Sequence, residues 1–509
     1  MFMKRMTFLL ALTSPASGFS QERTQILKSQ IGAWGPVLPW NLIGIHAVLM
    51  PDKKVLTFGS NSRGDQGADM EYDVWDPSLG TGLESHTLLP NQTRTDIFCG
   101  AQLLLADSGL ALISGGDIPG AVQQGNFDTN TFDTSTNRLT KSSYQMAYGR
   151  WYPTLTTLPT GEVIVQGGSN NGFAGSGVLT PEIFNTKTGW RSLFGAYSDY
   201  AYGNDFNRWW YPRSWVLNDG RLFSISGPAM YFVDYKDHGA IYPVGDFTGP
   251  NKGATSTAVM FEPGRILQVG GGEWANFEGQ GMAGAKEASI IDLNGLFPTV
   301  TPAAPMHFHR HWATSTILPD GQILVTGGTA LNATMGGDGP SYWPEIYNPK
   351  TNAWTVLAPE AHVRTYHSSA LLLPDATVIS MGGGAPGPAT NLNAQILNPP
   401  YLFNGSDLAS RPSYTLPDSS TGYGRSLAVN YQSDRPIERV TLVKTGAVTH
   451  SFNQDQRFVE LSFTQGWGNT LSVTMPENSN IATPGFYLLF LIDSAGVPSK
   501  AEILRFLPL

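Results

Sequence analysis

The sequence predicts an all-β protein in which a seven-bladed β-propeller is followed by a smaller β-sandwich. Composition is the first observation, because the 509 residues include 57 glycines and 35 prolines while only 14% of them are charged. Such a chain suits many short strands joined by tight turns better than long helices. The second observation is an internal repeat, and the third is a change of pattern near residue 405.

The repeated unit is a strand, a turn, a second strand and glycine, as in WATSTILPDGQILVTGG from Trp312. Between the units lie segments such as EIYNPKTNAWTVLAP, residues 345–359, which predict a second hairpin. Four strands per repeat of about 50 residues, ending in Gly-Gly, are the kelch pattern of a β-propeller blade. The seven units begin at Gly44, Cys99, Tyr152, Tyr211, Thr255, Trp312 and His367.

The two ends of the chain complete this architecture. The seventh unit lacks an outer strand, and GAWGPVLPW, residues 32–40, resembles the missing piece, so we expect it to close the propeller over residues 25–404. From 405 to 509 the glycine period stops, and short alternating strands predict an immunoglobulin-like β-sandwich. Residues 1–21 place Lys4 and Arg5 before a short apolar run, which predicts a signal peptide and a secreted or periplasmic protein.

Charge and cysteine content exclude several partners. The net charge is -9 and no cluster of Lys or Arg is longer than a pair, so neither nucleic acid nor an anionic membrane surface is expected. Beyond the leader, no apolar run approaches the length of a membrane span. Cys99 is the only cysteine, so no disulfide can form within the chain. We expect a monomer whose partners are small molecules.

One row of residues, eight places before the turn of each blade, carries the candidate chemistry. These residues begin the inner strands and therefore line one mouth of the channel, where pockets form. The row contains Cys99, Tyr152 and His367, and Tyr366 precedes the last of them. The prolines after Tyr152 and Tyr211 predict that these residues enter their strands in an extended conformation. A purely structural alternative is that aromatic side chains fill the channel, with a small cysteine among them.

Phenolates and imidazoles are good ligands of Cu(II), and their meeting predicts a metal site at the channel mouth. Two tyrosines and one histidine leave room for another ligand. One candidate is His450, which lies in KTGAVTHSFNQDQR on a predicted turn of the C-terminal domain. The alternative is a separate site in HFHRH, where one strand face carries three histidines. These are His307, His309 and His311.

Four segments of the chain resemble motifs of the copper radical oxidases, the family that includes galactose oxidase and glyoxal oxidase. They are DIFCGAQ, GRWYPTLTTLP, RTYHSSALLLPD and THSFNQDQR, in this order along the chain. The resemblance covers nearly all of the chain after the leader. It implies a copper ion bound by Tyr152, Tyr366, His367 and His450.

The same resemblance implies a protein-derived cofactor, in which a thioether joins Cys99 to Tyr152 and the tyrosine ring carries a stable radical. Tyr366 is then the base for the substrate hydroxyl. Arg310 matches in spacing an arginine that binds substrate in galactose oxidase. The implied activity removes two electrons from a primary alcohol or a hydrated aldehyde and transfers them to O2, which yields H2O2.

Departures from galactose oxidase favour the glyoxal oxidase side of the family. Where galactose oxidase has a tryptophan that stacks over the crosslinked tyrosine, Asn170 follows GGS in this chain. Another aromatic must shield the ring, and Trp209, Trp210 and Trp274 are the candidates. The disulfides and the N-terminal carbohydrate-binding domain of galactose oxidase are also absent from the sequence. We therefore expect oxidation of small aldehydes. The alternatives are oxidation of primary alcohols, including galactose, and a propeller that only binds a ligand.

Overall fold

The computed structural model of the protein describes residues 27–121, 123–172, 175–272, 282–295, 297–331, 339, 341–387 and 389–508. In this part of the chain only two α-helices occur, Lys28–Ile31 and Asp199–Tyr202, and each has four residues. Short 3-10 turns lie at Pro77–Leu79, Leu83–Ser85, Phe194–Ala196, Asp205–Asn207 and Pro400–Leu402. The rest of the regular structure is β-strand, which confirms the predicted fold class. None of the helices within these ranges is long and apolar enough to cross a membrane.

Seven antiparallel sheets form the propeller, and six of them contain four consecutive strands of the chain. Blade 1 contains His46–Leu49, Val55–Phe58, Glu71–Trp75 and His86–Pro90. Blade 2 contains Ala101–Leu104, Ala111–Ser114, Thr129–Asp133 and Arg138–Lys141. Blade 3 contains Trp151–Thr157, Val163–Ser169, Glu182–Asn185 and Gly189–Ser192. Blade 4 contains Arg213–Val216, Leu222–Ser226, Ala229–Asp234 and Ala240–Asp246. Blade 5 contains Thr257–Glu262, Arg265–Val269, Ala288–Asp292 and Thr299–Ala303. Blade 6 contains Thr314–Ile317, Ile323–Thr326, Glu345–Asn348 and Ala353–Val356.

Blade 7 joins the two ends of the propeller chain. Its strands are Ser368–Leu372, Val378–Gly382 and Asn393–Asn398, followed outward by Ala33–Trp34 and Leu38–Pro39. The N-terminal segment is antiparallel to its neighbour, with Ala33 paired with Asn398 and Leu38 paired with Ala394. Backbone hydrogen bonds therefore close the ring, and blade 7 has an outer strand like the other blades.

Glycines at the ends of the second strands let neighbouring blades approach one another. Gly167 and Gly327 have φ of 63° and 65°, a region that favours glycine. A Cβ atom on Gly167 would lie 2.6 Å from the carbonyl oxygen of Trp209, just before blade 4. A Cβ atom on Gly327 would lie 2.5 Å from the carbonyl oxygen of Arg364, just before blade 7. The repeated glycines are thus a requirement of blade-to-blade packing.

The C-terminal domain packs two sheets against each other, as an immunoglobulin-like sandwich does. One sheet contains Ser413–Thr415, Ser426–Gln432, Thr470–Thr474 and Phe463–Gln465. The other contains Ser420–Thr421, Glu502–Phe506, Gly485–Asp493, Ile437–Lys444 and Phe458–Leu461. A short hairpin of Phe403–Asn404 and Asp407–Leu408 precedes them. Apolar side chains of both sheets form the core, where Val440, Leu471 and Leu491 are fully buried.

One segment of the C-terminal domain leaves the sandwich and enters the propeller channel. The strands Ala447–Thr449 and Phe452–Asn453 form a hairpin. This hairpin extends blade 1 at its inner edge, where Val448 pairs with Ala47. The turn of the hairpin carries His450, so a residue of the second domain lies among the inner strands of the first.

The residues after this hairpin are bonded to two further blades. The side-chain oxygen of Gln454 accepts a hydrogen bond from the backbone N–H of Leu155 in blade 3, at 3.1 Å. The side-chain oxygen of Gln456 accepts one from the backbone N–H of Ile317 in blade 6, at 2.8 Å. The inserted segment is therefore fixed on several sides of the channel, which gives its turn a defined position.

Candidate metal centre

The row predicted at the channel mouth has an unusual backbone conformation. Five of its seven residues have a positive φ, which is 59° at Cys99, 64° at Tyr152, 37° at Tyr211, 62° at Trp312 and 67° at His367. The left-handed region is uncommon for residues other than glycine and costs about 1–3 kcal/mol at each position. The expectation that Tyr152 and Tyr211 enter their strands in an extended conformation is therefore wrong.

Hydrogen bonds between neighbouring blades explain this difference. The backbone N–H of Tyr152 donates to the carbonyl oxygen of Cys99 at 2.8 Å, and that of Tyr211 donates to Tyr152 at 2.9 Å. The N–H of Trp312 donates to Thr255 at 3.0 Å in the same way. A following proline disfavours the right-handed helical region for Tyr152 and Tyr211. The bonds to the preceding blade then select the left-handed region over the extended one.

Two tyrosines from different blades meet at this mouth. The hydroxyl oxygens of Tyr152 and Tyr366 lie 2.7 Å apart, and both side chains are almost fully buried. Burial raises the pKa of both phenols well above the ordinary value, so both hold their protons in the metal-free protein. The predicted pair of phenols therefore forms, with one hydroxyl donating to the other.

Two histidines meet beside the phenols. The Nε2 atoms of His367 and His450 lie 2.9 Å apart. The Nδ1 atom of His367 faces the carbonyl oxygens of Gly384 and Ala385 at 3.0 and 2.8 Å. Because carbonyl oxygens only accept, Nδ1 carries the proton and Nε2 presents its lone pair. The Nδ1 atom of His450 lies 2.6 Å from the hydroxyl oxygen of Thr449.

Both imidazoles are neutral in this site. Burial lowers the pKa of His367 to about 3, although its two carbonyl partners act in the opposite direction. Burial, together with the neighbouring imidazoles of His367 and His46, lowers the pKa of His450 well below its ordinary value. Neutral imidazole is the form that binds a metal ion, so the site presents its histidines ready for coordination.

Cys99 lies beside these four side chains. Its side chain is fully buried, and its Sγ atom lies 3.9 Å from Nε2 of His450. The thiol also interacts with the side chain of Tyr152. Burial, together with the charge of the nearby Asp117, raises the pKa of the Cys99 thiol well above its ordinary value. In the metal-free protein the cysteine is therefore a protonated thiol next to the phenol.

The rings that cover Tyr152 come from two tryptophans. Trp151 stacks on Tyr152 with ring centroids 3.8 Å apart and planes at 24°. Trp210, one of the residues named from the sequence, lies 4.2 Å from Tyr152 with planes at 49°. Trp209 packs on these two tryptophans at 5.9 and 5.8 Å. Trp274 lies outside the described residues.

Trp151 is not among the residues predicted from the sequence. Neighbours in a regular strand point to opposite faces of the sheet, so Trp151 is not expected to contact Tyr152. The φ of 64° at Tyr152 removes this alternation and lets the two rings stack. Trp151 can therefore be recognised as the ring that covers Tyr152 only once the backbone conformation is known.

Arg310 belongs to the blade and not to the cluster, which corrects its predicted role in binding substrate. Its guanidinium is fully buried, forms an ion pair with Glu345 at 3.0 Å and donates to the carbonyl oxygen of Gly327 at 2.6 Å. Arg150 makes the equivalent bonds in blade 3. The spacing that indicates a substrate-binding arginine is therefore the spacing of the blade repeat itself.

The three histidines of HFHRH do not share a site. Their Nδ1 atoms bond three different groups, at 2.7 Å in each case. The pairs are His307 with Glu345, His309 with the carbonyl oxygen of Gly284, and His311 with the hydroxyl of Thr255. Within the described ranges, no group of three or more His, Cys, Asp or Glu residues could hold a metal ion. A metal centre in this part of the chain therefore depends on the two phenols.

A further histidine, His46, is missed by the sequence reasoning. Its Nε2 atom lies 3.1 Å from the backbone nitrogen of Cys99, and its ring centroid lies 5.6 Å from that of His450. It stands two places after Gly44, the row position of blade 1, so a search of the row does not find it.

The donor atoms of the cluster fit a copper ion. Two atoms that are each about 2 Å from one ion lie about 2.8 Å apart when they occupy adjacent positions. The two phenol oxygens are 2.7 Å apart and the two imidazole nitrogens are 2.9 Å apart. Phenol oxygen and imidazole nitrogen are also the donor types that suit Cu(II).

Comparison with known proteins bears on the class of this site. A family profile described as Glyoxal oxidase N-terminus matches residues 50–396, and one described as Galactose oxidase-like, Early set domain matches residues 411–506. Galactose oxidase from Gibberella zeae is 30% identical over 510 residues, which cover 93% of this chain and 70% of that protein. Aldehyde oxidase GLOX from Vitis pseudoreticulata is 26% identical over 492 residues, which cover 90% of this chain and 91% of that protein.

A solved structure agrees with these relatives. It is that of a novel fungal alcohol oxidase with catalytic diversity among the AA5 family, in complex with copper. It matches with a TM-score of 0.84 at 26% identity, over 94% of this chain and 100% of that one. Fold and relatives thus define a copper oxidase built on a propeller. The chain belongs to the galactose oxidase and glyoxal oxidase family, which confirms the resemblance found in its motifs and makes it an oxidoreductase.

Proposed function

We propose that the protein is a copper radical oxidase that oxidises small aldehydes, as their hydrates, and reduces O2 to H2O2. The observation that carries the proposal is the convergence of two phenols, two imidazoles and one thiol. Tyr152, Tyr366, His367 and His450 would hold the copper ion, and Cys99 lies beside them. A channel that is only filled by aromatic rings gives no reason for buried imidazole nitrogens to face each other.

The protein-derived cofactor forms between Cys99 and Tyr152. The S–H bond of Cys99 and one ring C–H bond of Tyr152 break, and a C–S bond forms. The two electrons and two protons that are released reduce O2 to H2O2. Trp151 and Trp210, which cover the Tyr152 ring at 3.8 and 4.2 Å, shield the radical that this ring carries.

Oxidation of an aldehyde hydrate breaks one C–H bond and one O–H bond, and the two electrons and two protons again pass to O2. A copper ion bound there would supply one-electron redox chemistry and would favour the ionised phenols over their protonated forms. The phenol oxygen of Tyr366 accepts the proton of the substrate hydroxyl. Tyr152, whose oxygen is 2.7 Å away, takes the hydrogen from carbon. The carbonyl partners of His367 hold the ring tautomer that keeps Nε2 available to the metal.

Small aldehydes are proposed over galactose because of Asn170. This residue stands where galactose oxidase has a tryptophan, and it is exposed, with its Oδ1 accepting from the backbone N–H of Ser176 at 3.0 Å. An amide offers no flat apolar ring on which a pyranose can pack. Trp151 and Trp210 are each 1% exposed, so they do not rebuild such a wall at the surface.

The second candidate is oxidation of primary alcohols, including galactose. The galactose oxidase of Gibberella zeae favours it, because its 30% identity exceeds the 26% of the Vitis aldehyde oxidase. Export stays part of the proposal and rests on the leader predicted over residues 1–21, which lies outside the described residues. The boundary between the domains at residues 404 and 405 and the monomeric state also remain predictions.

The cofactor can be tested by mass spectrometry. Protein loaded with copper under air should bind one ion per chain, lose the mass of two hydrogen atoms and yield a joined peptide pair on digestion. Cys99→Ser should keep the ordinary mass, because no thioether can form. A folded wild-type protein that binds no copper and stays unlinked would contradict the proposal.

The substrate can be tested by a screen for H2O2 release. Glyoxal, methylglyoxal and glycolaldehyde should give higher kcat/KM than galactose at saturating copper after oxidative activation. Asn170→Trp should narrow this difference, because it returns a ring to the sugar-facing position. A higher kcat/KM for galactose in the wild type would place the protein with the alcohol oxidases.

A further inference from the structure

His46 is fully buried, and the proposed function gives it no role. It lies in the inner strand of blade 1, and its ring stacks on Phe58 with centroids 4.5 Å apart and planes at 6°. Phe98, just before Cys99, packs edge-on against the same ring at 6.3 Å. The ring is therefore fixed in place by packing, and its two nitrogen atoms have defined partners.

Hydrogen bonds determine which nitrogen of His46 carries the proton. The backbone N–H of Cys99 points at Nε2 of His46, 3.1 Å away. Because a backbone N–H only donates, Nε2 is the acceptor and the ring proton is on Nδ1. Nδ1 then donates to Oε1 of Gln102 at 2.9 Å. The amide of Gln102 is oriented in turn, because its Nε2 donates to the carbonyl oxygen of Val448 at 3.0 Å.

This chain of hydrogen bonds joins two parts of the proposed copper site. At one end is the backbone of Cys99, which has the left-handed φ of 59°. At the other end is Val448, two residues before His450 on the hairpin that the second domain inserts. The two ends meet again at the site, where Sγ of Cys99 lies 3.9 Å from Nε2 of His450.

We infer that His46 is a positioning residue for formation of the thioether between Cys99 and Tyr152. By accepting the Cys99 N–H it holds the cysteine backbone in the left-handed conformation, and the thiol is then already beside the Tyr152 side chain before oxidation begins. Through Gln102 it couples this placement to the hairpin that carries His450. His46 itself gains or loses no proton or electron in the step.

The inference rests on the proposed function, since it concerns how the cofactor of that function is made. Removal of the imidazole leaves all four proposed copper ligands in the chain, so its effect should fall on cross-linking and not on copper content. Residues that orient a reacting group from behind typically contribute about 10- to 100-fold. Burial lowers the pKa of His46 to about 3, so the acceptor nitrogen is present throughout the neutral pH range.

The chain offers a matched control in His311. It is also fully buried, and its Nδ1 lies 2.7 Å from the hydroxyl of Thr255, the row residue of blade 5. His311→Phe therefore removes a buried imidazole that bonds a row residue of the channel mouth but not Cys99. His46→Phe is the test variant, and His46→Gln is the conservative one, because its amide oxygen can accept the same N–H.

Two measurements separate positioning from folding. In the metal-free protein, amide hydrogen exchange at Cys99 should be at least about ten-fold faster in His46→Phe than in the wild type. After copper is added under air, intact mass should show cross-linking at least about ten-fold slower, with one copper ion still bound per chain. His311→Phe should match the wild type in both measurements, and His46→Gln should lie between.

The results distinguish this inference from the function on which it rests. A wild-type protein that never cross-links contradicts the proposed function before any variant is compared. A folded His46→Phe protein that binds copper and cross-links at the wild-type rate overturns the positioning role and leaves the proposed function standing. If His46→Phe does not fold, the same two measurements are made on His46→Met. Methionine is smaller than phenylalanine, and it offers the Cys99 N–H no acceptor comparable to the imidazole nitrogen.

Discussion

The entrances of blades 3 and 6 have the same construction. Arg150 and Arg310 are both fully buried, and each forms an ion pair with a buried glutamate at 2.9 and 3.0 Å. Each also donates to the first glycine of its own blade's pair, at 2.7 and 2.6 Å. Two residues later, Tyr152 and Trp312 have left-handed φ of 64° and 62°. The two entrances thus have the same backbone conformation, an equivalent buried arginine and an equivalent glycine.

The difference is the side chain placed on the strained position. Tyr152 brings a hydroxyl to 2.7 Å from that of Tyr366, whereas Trp312 packs against the Tyr366 ring at 4.6 Å and 63°. Strain at a row position is therefore a property of the propeller and not a sign of chemistry. The residue type that the blade presents there decides whether a blade contributes a metal ligand or a packing surface.

The largest expected effect comes from removing one hydroxyl in blade 3. Tyr152→Phe keeps the ring but removes the proposed radical and ligand, so H2O2 release should fall by at least about 10,000-fold. Trp312→Phe, the matched change in blade 6, should keep one copper ion per chain and still form the thioether. Activity and intact mass of the two variants, measured side by side, check the contrast. Equal loss of copper in both variants would contradict the assignment of Tyr152 as a metal ligand and Trp312 as a packing residue.

The shared arginines should contribute stability and not substrate affinity. Arg150→Met and Arg310→Met each leave a buried glutamate without its cation, which should lower the free energy of unfolding by about 3–5 kcal/mol. Urea unfolding measures this loss. Arg310→Lys keeps a positive charge in the blade, and its KM for the preferred aldehyde should equal that of the wild type. A raised KM in that folded variant would indicate that Arg310 does bind the substrate.

A smaller effect is expected at the ligand that the second domain supplies. His450→Ala should weaken copper binding by at least about 100-fold, since even residues behind a ligand contribute that much. The propeller should stay folded, because Gln454 and Gln456 still hold the inserted segment at 3.1 and 2.8 Å. Copper titration and thermal unfolding test the two statements separately. His307→Ala is the control and should bind copper normally.

The fold is predictable from the sequence because each blade carries its own signals. The turn residues and the terminal glycine of every unit are local signals, and so is the segment at residues 32–40 that pairs with blade 7. The row that contains Cys99, Tyr152 and His367 can also be found by counting from the turns. The fold class therefore follows from signals that lie within each unit.

What the sequence does not predict depends on contacts between residues that lie far apart along the chain. Trp151 stacks on Tyr152 only because a hydrogen bond to blade 2 turns the backbone at residue 152. His46 matters because its partner, Cys99, lies in the next blade. Arg310 is misassigned because its partner Glu345 lies 35 residues away on another strand. In each case the decisive partner is distant along the chain.

Blade 2 differs from blades 3 and 6 in the residue that follows the glycine pair. In blades 3 and 6 it is Ser169 or Thr329, and each hydroxyl donates to a carbonyl oxygen at 2.7 Å. In blade 2 it is Asp117, which is 3% exposed and whose Oδ1 has no hydrogen-bond partner among the described residues. Burial, together with the charge of Asp96, raises the pKa of Asp117 to about 8.

Asp117→Asn should therefore stabilise the metal-free protein relative to the wild type, by an amount that depends on pH. The carboxyl pKa is about 3.9 in an unfolded chain and about 8 in the folded protein. Between these values the folded protein holds a proton that the unfolded chain has lost, so the wild type loses stability as the pH rises through this window. Asparagine has no such proton, and urea unfolding should show a difference between the two proteins that grows from about pH 4 to about pH 8 and is constant above. Ser169→Ala should change stability equally at every pH. A difference that does not vary with pH for Asp117→Asn would show that this carboxyl titrates at its ordinary pKa.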